Sequence, residues 1–269
     1  GNIYVNVGAP SNACQEEHRT PGSKGVNPCP QREWQASIWR FSADQLGQTQ
    51  KDDGHQYCTG IRNCVALDWN HGTNGLFAVQ HGRDQLNTLW PDYYNDQQSA
   101  ELPAEEFLQI DDGDDFGWPY CYYDGFKNAK VLSPEYGGNG EEIGLCAEKK
   151  DPIVAFPAHY APNDLLFYQG DQFPERYKQG AFITFHGSWN RAPEPQMGYL
   201  VAFVPFENGA PSGEWEVFAN GFSGVDKVVG PADAKHRPMG LAEGPDGSLY
   251  ITDSVKGKVW RVTYGETTI

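Results

Sequence analysis

At 269 residues, with 39% hydrophobic and 13% aromatic side chains, the chain is long enough to bury a large core and too apolar to be disordered, despite a mean hydropathy of −0.62. A formal net charge of −16 and a pI near 4.7 exclude an extended phosphate backbone as partner by simple repulsion and leave small polar ligands open. No apolar run approaches the length of a membrane span, and 31 glycines with 19 prolines, spread without a collagen-like period, point to many turns and an all-β architecture of short strands.

In chain order the expected strands begin with "GNIYVNVGAP" (1–10), a strand already under way at its first residue, then "ASIWRFS" (36–42) and "HQYCTG" (55–60). "VALDW" (65–69), "GTNGLFAVQHG" (72–82) and "EEFLQID" (105–111) follow. The next group is "DLLFY" (164–168), "KQGAFITFHGS" (178–188), "YLVAFVPF" (199–206) and "WEVFANGF" (215–222). "MGLAEG" (239–244), "GPDGSLYITDS" (244–254) and "KVWRVTY" (258–264) close the series. Four of these stretches share one form, a glycine-containing turn followed by alternating apolar and polar residues, with Leu76, Phe182 and Leu249 at matching positions 106 and 67 residues apart and Ile3 another 73 before Leu76.

Each copy is preceded by an apolar run and followed by another alternating one, with "HQYCTG", "EEFLQID" and "WEVFANGF" as outermost strands. The repeating unit is therefore a four-stranded antiparallel sheet, and units that cannot bury both faces alone pack radially, so the expected fold is a β-propeller, with a β-sandwich of similar strand count as the alternative. In this register residues 1–269 form one partial propeller domain that starts in a second strand and ends after a third. About two N-terminal blades are expected to lie outside the sequence, unless Gly1 is a mature terminus and the ring closes differently.

Six cysteines, at 14, 29, 58, 64, 121 and 146, sit in polar loop-like stretches and no CxxC pair is present, which favours disulfides over zinc and a secreted or periplasmic location. Neighbour pairing (Cys14 with Cys29, Cys58 with Cys64, Cys121 with Cys146) is the expected connectivity among fifteen.

The loops carry the chemistry. Arg62 and Asn63, and Arg237, stand just before first strands, as does His159; His81, Gly82, Arg83 and Asp84, and His186, Asn190 and Arg191, stand just after second strands. Antiparallel pairing puts the entry of a first strand and the exit of a second at one sheet edge, so these loops should converge on one face whose cations suit a small polyanion.

The motifs "TGIRN", "HGRDQL", "DFGWPYCYYD", "PAHYAP", "FHGSWNR" and "GPDGSLYITD", in this order, resemble those of the soluble quinoprotein sugar dehydrogenases, in particular the sorbosone dehydrogenase-like branch, over essentially the whole chain. The resemblance implies a six-bladed propeller that binds pyrroloquinoline quinone (PQQ) and calcium and oxidises an aldose or a sorbosone-like aldehyde by hydride transfer to the quinone, giving a lactone from an aldose. It implies that Arg62 and Asn63 face the quinone, that Arg237 pairs with one of its carboxylates, that His159, Asn190 and Arg191 line the pocket, and that the carbonyls of Gly82 and Arg83, with Asp84 as helper, hold calcium. Related glucose dehydrogenases have proline where this chain has Arg83. The family's catalytic histidine lies upstream of the segment matching Gly1, so no histidine here inherits that role. The electron acceptor is not identified by any motif.

Other readings stand beside these. Arg62 and Arg237 could be buried ion-pair partners bridging neighbouring blades, and His81, His159 and His186 a metal site. "DDGDDFGW" (111–118) reads as a solvated acidic turn without EF-hand spacing, and "NGFSG" (220–224) does not meet the GxSxG pattern. The aromatics of "GWPYCYYD" and "WPDYY" either stack on sugar or pack between blades. A non-catalytic secreted propeller that binds carbohydrate or another ligand is the main functional alternative, and a calcium-dependent lactonase the weaker one.

Overall fold

Short alternating runs cut by glycine, proline and asparagine cannot sustain helices, and the chain is indeed almost entirely strand, turn and loop. The computed structural model describes residues 1–265, so the final "ETTI" of the expected domain lies outside the described residues. Internal contacts divide the chain into two compact units, one formed by Gly1–Cys64 with Gln80–Ala158, the other by Val65–Val79 with the chain from His159 onward.

In the first unit Asn2–Val7, Ser37–Ser42 and His55–Thr59 form an antiparallel sheet in which Ile3 faces Phe41 and Val5 faces Trp39. The two-residue strand Asp114–Asp115 adds to His55–Thr59 in parallel, a departure from the purely antiparallel expectation. Asn2–Val7 is the edge of this sheet and leaves Ile3 47% and Val5 41% exposed. The strand Glu105–Ile110, expected to be outermost, has Val154–Phe156 paired outside it, a short strand that no alternating pattern marked. Leu86, Tyr94, Leu102, Tyr122 and Val131 form one core cluster, with the Tyr94 and Tyr122 hydroxyls hydrogen-bonded at 2.8 Å.

Two of the three expected disulfides are present, Cys14–Cys29 and Cys121–Cys146, closing loops of 15 and 25 residues at a gain of roughly 3 kcal/mol each in the chain-entropy account. The third expectation fails: Cys58 and Cys64 are free, buried thiols. Cys58 is fixed opposite Ile38 by strand register, and Cys64 opens the next strand, so both behave as small apolar side chains. Burial pushes the Cys58 thiol up to about 12 and the Cys64 thiol well above its usual range, keeping both uncharged at neutral pH. The acidic turn also differs from a merely solvated one. Lys150 bonds Asp111 and Asp114 at 2.8 and 2.6 Å, Lys149 and Arg32 both pair with Asp115, and Arg40 and His55 pair with Asp112.

The second unit contains the complete expected repeat. Pro162–Phe167, Ala181–Phe185, Leu200–Val204 and Glu216–Ala219 form one four-stranded antiparallel sheet in sequence order. Pro238–Glu243, Leu249–Asp253 and Val259–Val262 form a three-stranded one. Between the sheets Tyr168, Phe173, Phe182, Phe203, Phe222, Leu249 and Ile251 share one buried core.

A recurring carboxylate links successive first strands. Asp68 accepts from the Phe167 N–H at 2.8 Å and from its own neighbour Trp69; Asp164, at the equivalent place, accepts from Leu241 at 2.7 Å and from Leu165. Burial raises both carboxyl groups above the ordinary range, partly offset by these N–H donors.

Candidate functional site

In the first unit three loops meet. The turn carrying Arg62 and Asn63 receives the Ala9 N–H on the Arg62 carbonyl at 2.7 Å and offers the Asn63 carbonyl to the His81 N–H at 2.8 Å. Gly8 suits this approach, because a Cβ there would lie 2.6 Å from the Asn63 Oδ1 and push that side chain aside. The end of "NVGAP" is thus seated directly on the Arg62–Asn63 turn.

The Arg62 guanidinium bonds Asp84 at 3.2 Å and Asn12 at 3.4 Å, while its Nε has no hydrogen-bond partner among the described residues. Burial lowers the Arg62 pKa, opposed by the nearby Asp84 charge. Asp84 also accepts from Arg19 at 3.1 Å, so one carboxylate orients two guanidinium groups. Asn12 then locks the Asp84 backbone in both directions, accepting its N–H and donating to its carbonyl at 2.9 Å each.

Gly82 donates its N–H to Glu105 at 2.7 Å, which fixes the turn. Among the described residues no group donates to the carbonyls of Gly82 or Arg83. The Arg83 side chain turns the other way, into a bidentate pair with Glu135 in which the two side chains are 3% and 0% exposed. Burial opposes its charge, yet the Glu135 carboxylate outweighs that and holds the Arg83 guanidinium above its usual range. Two adjacent carbonyls without donors form an oxygen pair of the kind a hard cation takes. A cavity of about 20 Å³, the size for a single water, is lined by Asn12, Arg62, Gly82 and Arg83.

In the second unit His159 is buried with a positive φ of 64°, and its Nδ1 lies 3.2 Å from the Asn190 amide. Arg191 is buried, with Nε donating to the Pro195 carbonyl at 3.3 Å and its backbone N–H to Gln196. His186 meets the Ser254 hydroxyl at 2.7 Å. Arg237 is different: Nε donates to the His186 carbonyl at 3.0 Å, Nη2 to the Gly187 carbonyl, and the guanidinium lies 5.6 Å above the Tyr199 ring. No carboxylate touches it among the described residues, and burial lowers its pKa. The reading of Arg62 as an ion-pair partner fits its bond to Asp84, whereas Arg237 is no ion pair.

The structure therefore gathers Arg62, Asn63, Gly82, Arg83 and Asp84 in the first unit, and joins His159 to Asn190 and Arg237 to the His186–Gly187 turn in the second. Asn12, Glu105 and Glu135 escaped sequence reading, because they act from 72, 23 and 52 residues away. The only available signal was the adjacency of Asn12 to a loop rich in cysteine and polar residues.

The family model described as TrAA12-like matches residues 29–265, nearly the whole chain. The chain belongs to the TrAA12-like family. Its curated relatives include a pyrroloquinoline quinone-dependent pyranose dehydrogenase of Coprinopsis cinerea, 26% identical over 89% of this chain and 36% of that protein. An uncharacterized protein of Borreliella burgdorferi is 28% identical over 76% of this chain and 48% of that one. This TrAA12-like chain thus spans half or less of the length of the curated relatives it matches. Among solved structures, the holo PQQ domain of the Coprinopsis cinerea pyranose dehydrogenase aligns over 98% of this chain and 67% of that one, with TM-score 0.71 and 22% identity. The calcium structure of the Trichoderma reesei AA12 enzyme aligns over 96% and 64%, with TM-score 0.72 and 20% identity. At these identities the likeness establishes a shared fold.

Proposed function

We propose that this TrAA12-like chain forms part of a β-propeller, built of four-stranded blades, that binds PQQ and calcium and oxidises a sugar, either an aldose or a sorbosone-like aldehyde. The observation that carries the reading is Arg237, whose half-buried guanidinium is held by two backbone carbonyls and touches no carboxylate among the described residues, in a chain of net charge −16. A cation kept without a carboxylate of its own is fitted to a carboxylate that arrives with a ligand. The donor-free carbonyls of Gly82 and Arg83 supply the matching oxygen set for calcium.

In this reading bound PQQ would supply the hydride-accepting centre and calcium, held by the Gly82 and Arg83 carbonyls, would supply Lewis acidity. The residues of this chain bind and orient. Within the second unit Arg237 takes a ligand carboxylate and His159, Asn190 and Arg191 are pocket-lining groups; within the first, Arg62 and Asn63 present their polar groups from a turn clamped by Gly8, Ala9 and His81. Asp84 serves through Arg62, since its carboxylate holds two guanidinium groups in place. Proton abstraction is assigned to none of the seven histidines. The two disulfides support a secreted or periplasmic setting.

The test is reconstitution of the chain with PQQ and calcium chloride, followed by dye reduction with a panel of aldoses and by titration of PQQ binding. Saturable calcium-dependent binding with sugar-dependent dye reduction is expected. Binding without turnover favours the non-catalytic ligand-binding propeller, and absence of binding overturns the cofactor reading.

A further inference from the structure

The aromatics of "WPDYY" and "GWPYCYYD" separate into two classes in the structure. Tyr94, Tyr122 and Trp118 are buried, the last donating its indole N–H to the Asn12 carbonyl at 3.0 Å. Trp90, Tyr93 and Tyr120 instead join Tyr136 in the wall of a groove of about 470 Å³ within the first unit. This volume falls in the range of small-molecule sites, roughly 300 to 1,000 Å³.

The groove has the two chemical requirements of a pyranose. One is an apolar aromatic face for the ring's C–H side, supplied by Tyr93, 46% exposed and backed by the near-parallel Trp90 ring at 6.2 Å and 15°. The other is a rim of unspent hydrogen-bonding groups. Lys24, Asn27 and the Tyr93 hydroxyl border the groove and make no side-chain hydrogen bond among the described residues. The groups behind the wall are already satisfied and rigid. The Trp90 indole donates to Glu135 at 2.9 Å, the Tyr120 hydroxyl accepts from the Cys29 N–H at 2.9 Å, and the Tyr136 hydroxyl has its one proton within reach of the backbone carbonyls of residues 13, 14 and 26 at 3.3 to 3.4 Å. A wall pre-organised in this way costs little to bind.

We propose that this groove is a second saccharide-binding site, distinct from the cofactor site and suited to a neutral pyranose chain, which stacks on Trp90 and Tyr93 and donates and accepts at Lys24, Asn27 and the Tyr93 hydroxyl. The choice of saccharide rests on the sugar-oxidising reading above, and the net charge of −16 disfavours a polyuronate. Glu135 connects the groove to the cofactor-side turn, because the same carboxylate that receives Trp90 holds Arg83. A chain seated here is held beside the segment that presents the Gly82 and Arg83 carbonyls.

The experiment is calorimetric titration of the protein, without PQQ or added calcium, with cellotetraose and with maltotetraose. Saturable binding of one of them is expected, weakened about fivefold in Tyr93→Ala and about threefold in Lys24→Ala. Trp90→Phe keeps a ring and is expected to retain most of the binding. Saturation by neither tetrasaccharide, or binding unchanged in Tyr93→Ala with native stability, overturns the proposal. Dye reduction by monosaccharides reads the cofactor site alone, so failure there with binding here, or the reverse, tells the two readings apart.

Discussion

The two units differ in how completely they pair their arginines with acids. In the first, every arginine meets a carboxylate: Arg19 and Arg62 share Asp84, Arg32 has Asp115, Arg40 has Asp112 and Arg83 has Glu135. In the second, Arg176 and Arg261 likewise pair with Glu216 and Asp246, but the Arg237 guanidinium meets, among the described residues, only backbone carbonyls and a tyrosine face. A guanidinium paired internally is architecture, whereas one held by neutral acceptors keeps its charge for something external. The sharpest way to break this comparison is Glu135→Ala, which strands the buried Arg83 charge. It should cost about 3–5 kcal/mol of unfolding free energy, read from urea denaturation, and a cost below 1 kcal/mol would place Arg83 among the uncommitted cations.

The next effect concerns the turn that holds Arg237. Gly187 has a φ of +97° and any Cβ there would overlap the Tyr199 ring, so Gly187→Ala combines backbone strain with a clash. A loss of about 2 kcal/mol is expected, together with weaker PQQ binding as the Gly187 carbonyl shifts. Arg237→Ala sharpens the comparison from the other side. With no acid left unpaired, its stability should change by under about 1 kcal/mol, while PQQ affinity falls about tenfold in titration. An equal loss of stability in Arg237→Ala and Glu135→Ala would remove the distinction between the units.

Much of the second unit was legible in the sequence. Short apolar runs over 181–185 and 200–204, buried along their whole length, and the alternating 249–253, all bounded by glycine turns, predict these strands and their order. The first unit was harder. Val154–Phe156 is too short to show a period, and Asp114–Asp115 joins its sheet through backbone groups alone. Candidate site residues on turns could be named because arginine, asparagine and glycine at strand ends are conspicuous. Their partners were invisible, since Asn12, Glu105 and Glu135 are ordinary polar residues until the fold brings them across long sequence separations. The Cys58–Cys64 expectation failed because a short separation in sequence does not by itself make a disulfide: both thiols are free and buried.

The smallest expected effect is one of pH, and it compares how each unit keeps a carboxylate charged. In the first unit burial opposes ionisation of Asp115, but Arg32 and Lys149 outweigh it and its pKa is lowered. In the second, burial likewise opposes ionisation of Asp253, and the opposing groups are His236 at 2.8 Å and the N–H groups of Arg237, Val255 and Lys256, which lower its pKa strongly. A carboxyl group depressed in the folded state contributes stability that is present above its unfolded pKa, near 4, and is lost as pH falls towards the folded value. Asp68 and Asp164 are raised and act in the opposite sense, their contribution being lost as pH rises. Asp253→Asn should therefore be destabilised relative to the parent by about 1 kcal/mol at pH 7, with the difference shrinking progressively below pH 4. Because its donors are mostly backbone N–H groups, that difference should change little with added salt, whereas the cost of Asp115→Asn, set by two part-exposed cations, should fall. Equal salt dependence of the two variants would mean that both units hold their carboxylates by the same long-range charge.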